Sequence, residues 1–419
     1  MKKNLTIVGQ GYVGLPLAQE ACLNGWHVSG YDVNEKLISK INAGISHIDD
    51  ISDQDLKEMI KFGYSATSDQ GIFKTADVIV VCVPTPLGEA GSPDLSAVKS
   101  AMNSIGSNMS KGGLVILEST TYPGTTEEIC IPILESESGL KAGEEFYVAF
   151  SPERVDPGST KYNIKNTPKL VGGCTPEATK RAVEFYSDFI DTVVPLSGAK
   201  EAETAKLLEN TFRHVNIALV NEMAKFCNEL KIDIWEVING AATKPFGFMK
   251  FTPGPGVGGH CIPIDPNYLS HEVRRRLGYP FRFVELAQEI NSTMPAYVVS
   301  RVGDLLNEDR KAINGATVAI LGVTYKPDIS DQRESPARPI GKQLLLKGAN
   351  LKYYDPYVPK WNLDGEEISS CESINEAISI ADVVVIVQNH SQFDLAKIAN
   401  SGKLVLDTRG IAPFPARKL

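Results

Sequence analysis

Leu5-Thr6-Ile7-Val8-Gly9-Gln10-Gly11-Tyr12-Val13-Gly14 decides the fold of this chain. A strand-like run leads into glycines spaced G-x-G-x-x-G, and a helical pattern, Leu15 to Asn24, follows at once. In such a unit the first glycine permits the tight turn. The second lets the backbone approach a pyrophosphate, and the third lets the helix pack closely on the strand. Gly9, Gly11 and Gly14 take these parts, with Tyr12 and Val13 between them. The helix N-terminus then faces the phosphates. A second strand-like run ends in Gly30-Tyr31-Asp32. That acid lies about twenty residues downstream, where a carboxylate binds the adenosine ribose diol and repels a 2′-phosphate. The expected cofactor is therefore NAD rather than NADP. The alternative, a glycine-rich turn without a ligand, does not account for the acid or for the order of the elements.

Outward from this unit, apolar runs alternate with helical patterns. Leu5–Gly9, His27–Asp32, Asp77–Pro84, Leu114–Thr120 and Phe146–Phe150 read as strands. Such alternation implies a parallel sheet with helices on both faces. In open parallel sheets the ligand crevice lies at the carboxyl ends of the strands. Candidates there are Pro84 and Thr85 in Val83-Pro84-Thr85-Pro86, Thr120 in Glu118-Ser119-Thr120, and Glu153 with Arg154 after Pro152. Thr120 either contacts a ligand or caps the following segment.

Gly198 to Leu230 reads as one long helix, because Ala205, Leu208, Phe212, Val215, Leu219 and Met223 recur at spacings of three and four. A second long helix spans Phe283 to Leu306, with Pro295 kinking or interrupting it. The last hundred or so residues open a new α/β pattern, with strands at Ala316–Gly322, Asn350–Asp355, Ala381–Val387 and Lys403–Leu406. The expected fold class is α/β: two Rossmann-like domains joined by a helical middle. The boundaries are 1–197 for the dinucleotide domain, 198–310 for the helical middle and 311–419 for the second Rossmann-like domain.

Between the long helices lies Gly254-Pro255-Gly256-Val257-Gly258-Gly259-His260-Cys261-Ile262-Pro263-Ile264-Asp265-Pro266. Its glycines let backbone N–H groups approach an anionic ligand. Cys261 closes the glycine run just before a helix expected near Asp265. A thiol near a helix N-terminus has a lowered pKa, and the thiolate is the nucleophile. Asp265 is close enough to orient a water or a base. Packing beneath the loop is the other reading of Cys261. Cys22 and Cys227 fall in helical patterns and Cys82 in an apolar strand, so these read as packing residues. His260 beside Cys261 lacks the HxxxH or CxxC company of a metal site, and no metal is expected. Lys206 and Asn210 share one helix face. Because Glu201 and Glu203 precede Lys206, the helix alone reads there as a solvated charged face.

Composition narrows the function. The chain has 419 residues, 42% hydrophobic and 22% charged, as in ordinary globular proteins. A formal charge of -9 argues against general nucleic-acid binding, so an anionic substrate needs local basic residues. Scattered cysteines suggest neither a disulfide framework nor a zinc ribbon. No apolar run reaches the roughly 18 residues of a membrane span, and Met1 to Gln10 is too short in its apolar part for a signal peptide. A cytoplasmic protein is expected.

Taken together, the motifs GQGYVG, VPTP, ESTTYPGTTE, SPERVDPG, ENTFRHVNIALVNE, GPGVGGHCIPIDP and LGVTYKPDISDQRESP make the chain resemble the UDP-sugar 6-dehydrogenases along essentially its whole length. GGHCIPIDP, SPERVDPG and TKPFGF make it look most like the UDP-N-acetylhexosamine branch. UDP-N-acetylglucosamine 6-dehydrogenases are nearest and UDP-N-acetylmannosamine dehydrogenases next. The resemblance implies an N-terminal NAD domain, a helical middle that forms a homodimer core and a C-terminal UDP-binding domain. It implies that Cys261 is the nucleophile, that Lys206 and Asn210 stabilise the developing oxyanion, and that Asp265 holds the catalytic water. Glu153 matches the carboxylate of thioester hydrolysis, and Thr120 the threonine beside the reacting centre. Lys326 matches a UDP-sugar contact, and Arg333 an arginine reaching toward cofactor or a neighbouring subunit. Arg154, Arg213 and Gly258 complete the candidate substrate contacts. UDP-glucose enzymes often carry a second glutamate four residues after the first. Here that position is Pro157, which leans away from UDP-glucose.

The implied reaction is a four-electron oxidation of the C6 alcohol with two NAD, through a thiohemiacetal and a thioester on Cys261, serving surface-polysaccharide precursor synthesis. Two other classes compete. A two-electron hydroxy-acid dehydrogenase needs neither the cysteine nor the second α/β domain. A non-enzymatic sensor does not need Cys261, Lys206, Asn210 and Asp265 together.

Overall fold

The computed structural model describes residues 3–48, 50–88, 92–154, 161–259, 262 and 264–419. Pro157, His260 and Cys261 lie outside the described residues. The chain forms two compact units, Met1–Glu209 with Asn267–Gly278, and Asn210–Pro266 with Tyr279–Leu419.

The first unit is built on strands β1 (Asn4–Val8), β2 (His27–Tyr31), β3 (Ser65–Thr67), β4 (Val78–Val81), β5 (Leu114–Leu117), β6 (Tyr147–Phe150), β7 (Lys169–Gly173) and β8 (Val193–Pro195). They form one sheet in the order β3-β2-β1-β4-β5-β6-β7-β8. The first six are parallel; β7 then pairs antiparallel with β6, and β8 parallel with β7. The order reverses at β1, which pairs with β2 on one side and β4 on the other. The crossover helices are α1 (Gly14–Leu23), α2 (Glu35–Asn42), α3 (Asp53–Lys61), α4 (Ser96–Gly106), α5 (Ile131–Ser138) and α6 (Pro176–Ser187). Both faces of the sheet are covered, so successive residues bury into separate cores. Leu5, Ile7, Val80 and Ile116 belong to one; Val8, Val81, Val115 and Leu117 belong to the other. This is why the central strands read as unbroken apolar runs.

Helix α7 (Ala199–Glu229) begins in the first unit and ends in the second. The second unit adds α8 (Ile234–Ala241), the start of α9 (Asp265–Leu277) and α10 (Arg282–Glu308). Pro295 lies buried inside α10, which continues through it rather than stopping. Strands β9 (Thr317–Leu321) and β10 (Asn350–Tyr354) follow, then a separate hairpin of β11 (Trp361–Leu363) and β12 (Glu366–Ile368). Strands β13 (Val383–Ile386), β14 (Leu404–Asp407) and β15 (Arg417–Lys418) complete a parallel sheet in the order β10-β9-β13-β14-β15. Helices α11 (Ala337–Leu346), α12 (Ile374–Ile380) and α13 (Leu395–Ala399) pack around it. Among the described residues, no helix is long and apolar enough to cross a membrane.

Several expected strands end earlier than their apolar runs. Gly9, Asp32, Cys82 to Pro84 and Glu118 to Thr120 all lie beyond the last strand residue. At the carboxyl edge the chain leaves the ladder, and these residues become loop.

Glu203 fixes one of these loops. It is fully buried on α7, and its carboxylate accepts from the Gly124 N–H (2.6 Å), the Thr126 N–H (2.9 Å) and the Thr126 hydroxyl (2.7 Å). Burial pushes this carboxyl up to about 7, against the lowering effect of those three bonds. The folded chain therefore holds a proton that the unfolded chain releases between the ordinary value of 4.5 and about 7. That contribution to stability is full at low pH and fades as pH rises through this window, by about 3 kcal/mol at most. Glu203→Gln does not titrate. The wild-type melting temperature, compared with that of Glu203→Gln, should thus be higher at pH 5 than at pH 7.5. A difference that stays constant between those two pH values refutes the assignment.

Candidate active site

The glycine turn of the first unit leaves almost no room. Gly9 has φ of +91°, and a Cβ there would lie 2.6 Å from the Cys82 carbonyl oxygen. A Cβ at Gly14 would lie 2.0 Å from the Gly9 carbonyl oxygen. At Gly11 a Cβ would meet nothing within 4 Å, so the backbone is open on that side. Helix α1 starts without a side-chain cap and without an acid in its first turn. Its N-terminal N–H groups and positive dipole end thus suit a phosphate. Asp32, just past β2, accepts from the Gln10 N–H (3.0 Å) and the Asn34 N–H (2.9 Å). An open glycine, an uncapped helix and a carboxylate at the next strand end fit a dinucleotide with a free ribose diol.

Gln10 occupies a motif position to which the sequence assigns no chemistry. It is fully buried, donates to the Ile7 carbonyl (2.7 Å) and accepts from the Tyr64 hydroxyl (2.5 Å), which ties the turn to the core. Tyr268 was equally hidden. Fully buried on α9, its hydroxyl donates to the carbonyls of Thr85 and Pro86, holding the Pro84–Thr85 loop.

Because β2, β1, β4, β5 and β6 run parallel, Asp32, the glycine turn, Pro84, Thr85, Thr120 and Glu153 all belong to one edge of the sheet. Behind it is a buried charge cluster. The Lys169 ammonium lies 3.0 Å from Glu118 and 3.7 Å from Glu153. The Tyr186 hydroxyl donates to Glu118. Burial alone lowers the affinity of Lys169 for its proton, but Glu118 and Glu153 outweigh it and hold the ammonium charged. Lys206 also reaches this group, donating to the Glu153 carbonyl oxygen. Arg154 pairs with Glu209 (2.8 Å) and donates to the Pro168 carbonyl (2.5 Å). Lys206 is only 7% exposed, so the solvated charged face that its neighbours suggest does not form.

In the second unit Asn210 is buried on α7 and donates to the Asp265 carboxylate (2.5 Å), which is itself buried at the start of α9. The glycine segment is held by side-chain amides: Asn221 accepts from the Gly254 N–H (2.9 Å) and donates to Asn291 (2.9 Å). A Cβ at Gly258 would lie 2.8 Å from the Tyr325 Cβ, and one at Gly259 would lie 2.9 Å from its ring. The Gly259 N–H donates to the Arg333 carbonyl (3.3 Å). The loop after β9, which carries Lys326, therefore packs on the residues leading into Cys261. The Arg333 guanidinium pairs with Asp331 (2.5 Å), and Arg213 is exposed. Burial pushes the thiols of Cys22 and Cys174 up to about 12 and raises those of Cys82, Cys130 and Cys371, which makes them poor nucleophiles.

Comparison with known proteins adds the lineage. Residues 3–190 match the NAD binding domain of the UDP-glucose/GDP-mannose dehydrogenase family, residues 200–293 its central domain and residues 319–413 its UDP binding domain. The chain is 35% identical over 418 residues to UDP-N-acetyl-D-mannosamine dehydrogenase of Pyrococcus horikoshii, covering 98% of this chain and 96% of that protein. It is 38% identical over 355 residues to UDP-N-acetyl-D-glucosamine 6-dehydrogenase of Pseudomonas aeruginosa, covering 84% and 83%. The solved structure of UDP-D-ManNAc dehydrogenase from Pyrococcus horikoshii superposes with a TM-score of 0.90 at 34% identity, over 99% of this chain and 97% of that one. With matches to all three domains and relatives of this similarity over nearly its whole length, the chain belongs to the UDP-glucose/GDP-mannose dehydrogenase family of NAD-dependent oxidoreductases.

Proposed function

We propose that this protein oxidises the C6 alcohol of a UDP-N-acetylhexosamine to a carboxylate, with UDP-N-acetylglucosamine as the favoured sugar, for surface-polysaccharide precursor synthesis. One observation carries the reading. Lys206 and Asn210, four residues apart on α7, are 7% and 4% exposed, and each hydrogen-bonds another candidate residue: Lys206 the Glu153 carbonyl, Asn210 the Asp265 carboxylate. Burying an ammonium costs several kcal/mol unless it is paired, and a surface helix has no need of it.

The chain's own residues then divide the work. NAD, when bound, would supply the hydride acceptor for each of the two oxidations, a second NAD replacing the NADH formed in the first. In the first, the C6 alcohol loses a proton and a hydride to give an aldehyde. The Cys261 thiolate adds to that aldehyde, and the oxyanion takes a proton to complete a thiohemiacetal. Lys206 and Asn210 supply the positive and dipolar groups that stabilise such oxyanions. Loss of a second hydride and a proton converts the thiohemiacetal to a thioester. Water held by Asp265 attacks the thioester, Glu153 assists its deprotonation, and the C–S bond breaks to release the acid and the thiolate. Covalent capture keeps the aldehyde from escaping and avoids a free hydrate. Lys326 serves the UDP end, Thr120 lies beside the reacting carbon, and Arg333 serves the cofactor or a second subunit.

The second unit also leaves Phe212, Leu219 and Phe226 of α7 and Phe283 and Leu286 of α10 exposed. Large apolar side chains of this number on two helices favour a two-fold partner, and we assign that face to a homodimer. Light scattering should give twice the chain mass at working concentration; a clean monomer removes the dimer from the account.

Relative kcat/KM across UDP-N-acetylglucosamine, UDP-N-acetylmannosamine, UDP-N-acetylgalactosamine and UDP-glucose tests the sugar. The first should lead and UDP-glucose should trail. A lead for UDP-glucose sinks the N-acetylhexosamine reading, and a lead for UDP-N-acetylmannosamine changes only the epimer. Cys261→Ala should lower acid formation on the order of 10³-fold or more, while aldehyde still forms slowly. Cys261→Ser should accumulate a covalent sugar adduct, seen by intact-protein mass spectrometry, because an oxygen ester hydrolyses more slowly than a thioester. Full conversion to acid by Cys261→Ala is incompatible with the covalent route.

A further inference from the structure

In the parallel sheet of the second unit the strand order reverses at β9, which has β10 on one side and β13 on the other. At such a switch point the loops leaving the two strands diverge and open a ligand crevice. One of these loops, after β9, carries Tyr325, Lys326 and Arg333. The other, after β13, carries His390, a residue to which neither the motifs nor the mechanism assigns a part.

His390 is buried, with 2% exposure. Its Nε2 lies 2.9 Å from the Asp355 carboxylate, at the end of β10. Its Nδ1 accepts the backbone N–H of Asp328 at 3.0 Å. An acceptor at Nδ1 requires the proton to sit on Nε2, where it is donated to Asp355, so the two bonds specify one neutral tautomer. Asp355 is itself fixed, accepting from the Val323 N–H (2.7 Å) and the Tyr357 N–H (2.8 Å). Asp328 sits at φ of +62°, a conformation disfavoured for a side chain other than glycine. There its carboxylate accepts from the N–H (2.8 Å) and hydroxyl (3.0 Å) of Ser391. The two loops are thus latched together by one imidazole and one carboxylate, two residues from Lys326. The same loop continues through the Tyr325 N–H bond to the Asp331 carbonyl (3.2 Å), and Tyr325 covers Gly258 and Gly259.

We propose that His390, oriented by Asp355, is a positioning residue for nucleotide recognition: it holds the Lys326 loop in its binding conformation by accepting the Asp328 N–H. This rests on the reading that the second unit binds the UDP end of the substrate. The ring touches no substrate in this account; it acts through the loop. Removing the acceptor takes from the half-buried Asp328 N–H its partner and leaves a strained Asp328 with less to hold it, and the loop then samples other conformations.

The full-length protein tests this with UDP itself as the probe. His390→Leu removes both bonds, whereas His390→Asn keeps an acceptor oxygen near the place of Nδ1. Calorimetry should show UDP binding to His390→Leu about tenfold weaker or more, with NAD affinity unchanged. The KM for UDP-sugar should rise in parallel, with kcat changed little, and His390→Asn should recover most of the loss. Wild-type UDP affinity in His390→Leu, or a His390→Asn as weak as His390→Leu, overturns the proposal. A wild-type protein that does not bind UDP overturns the parent reading instead. If His390→Leu does not fold, amide exchange of the wild type decides. The Asp328 amide must be protected and become more so with UDP; an unprotected amide overturns the latch.

Discussion

The constraint on which the rest depends is the pairing of β1 with β2 on one side and β4 on the other, all parallel. Parallel neighbours need crossovers, and crossovers that leave β1 and β4 toward opposite flanks open a crevice at the carboxyl edge. Gly9 and Gly14 let α1 start within that crevice, so its N-terminus aims at whatever lies there. The second sheet repeats the arrangement with β9 between β10 and β13. Each unit thus presents a switch point of its own, one matching the family's NAD binding domain and the other its UDP binding domain.

Charge burial is the second theme. Glu118, Lys169, Glu203, Lys206 and Asp265 all lie below one-tenth exposure. A buried charge is tolerable only where partners replace its water: carboxylates surround Lys169, the Glu153 carbonyl meets Lys206 and an amide meets Asp265, whereas Glu203 answers burial by holding its proton up to about 7. Such networks hold their members in place. The thiols of Cys22, Cys82, Cys130, Cys174 and Cys371 are the contrast: burial outweighs any cation nearby, and they are driven away from thiolate.

Local signals were legible and distant ones were not. The glycine turn and the long helices follow from spacing over a few residues and are present in the structure, and Asp32 stands just past β2. Local reading fails where the partner is remote in sequence. Lys206 looks solvated among Glu201 and Glu203 because Glu153, the residue it bonds, is 53 positions away. Tyr268 and Thr85 are 183 apart, and His390 and Asp328 are 62 apart. Neither Tyr268 nor His390 stands out from its own neighbours. Strands β7 and β8 went unread for another reason: β7 opens with a lysine and ends in two glycines, and β8 has three residues. Pro295 shows the converse. A strong local breaker is overridden because α10 is packed along its length.

In the mechanism proposed above, one polypeptide carries out both oxidations before releasing the sugar. The most direct measurement is the amount of NADH formed per UDP-N-acetylglucosamine consumed, with the sugar limiting and the product identified by mass spectrometry. The account predicts two NADH per sugar, the uronic acid as the sole product and no free aldehyde. One NADH per sugar, with the aldehyde released, would contradict it.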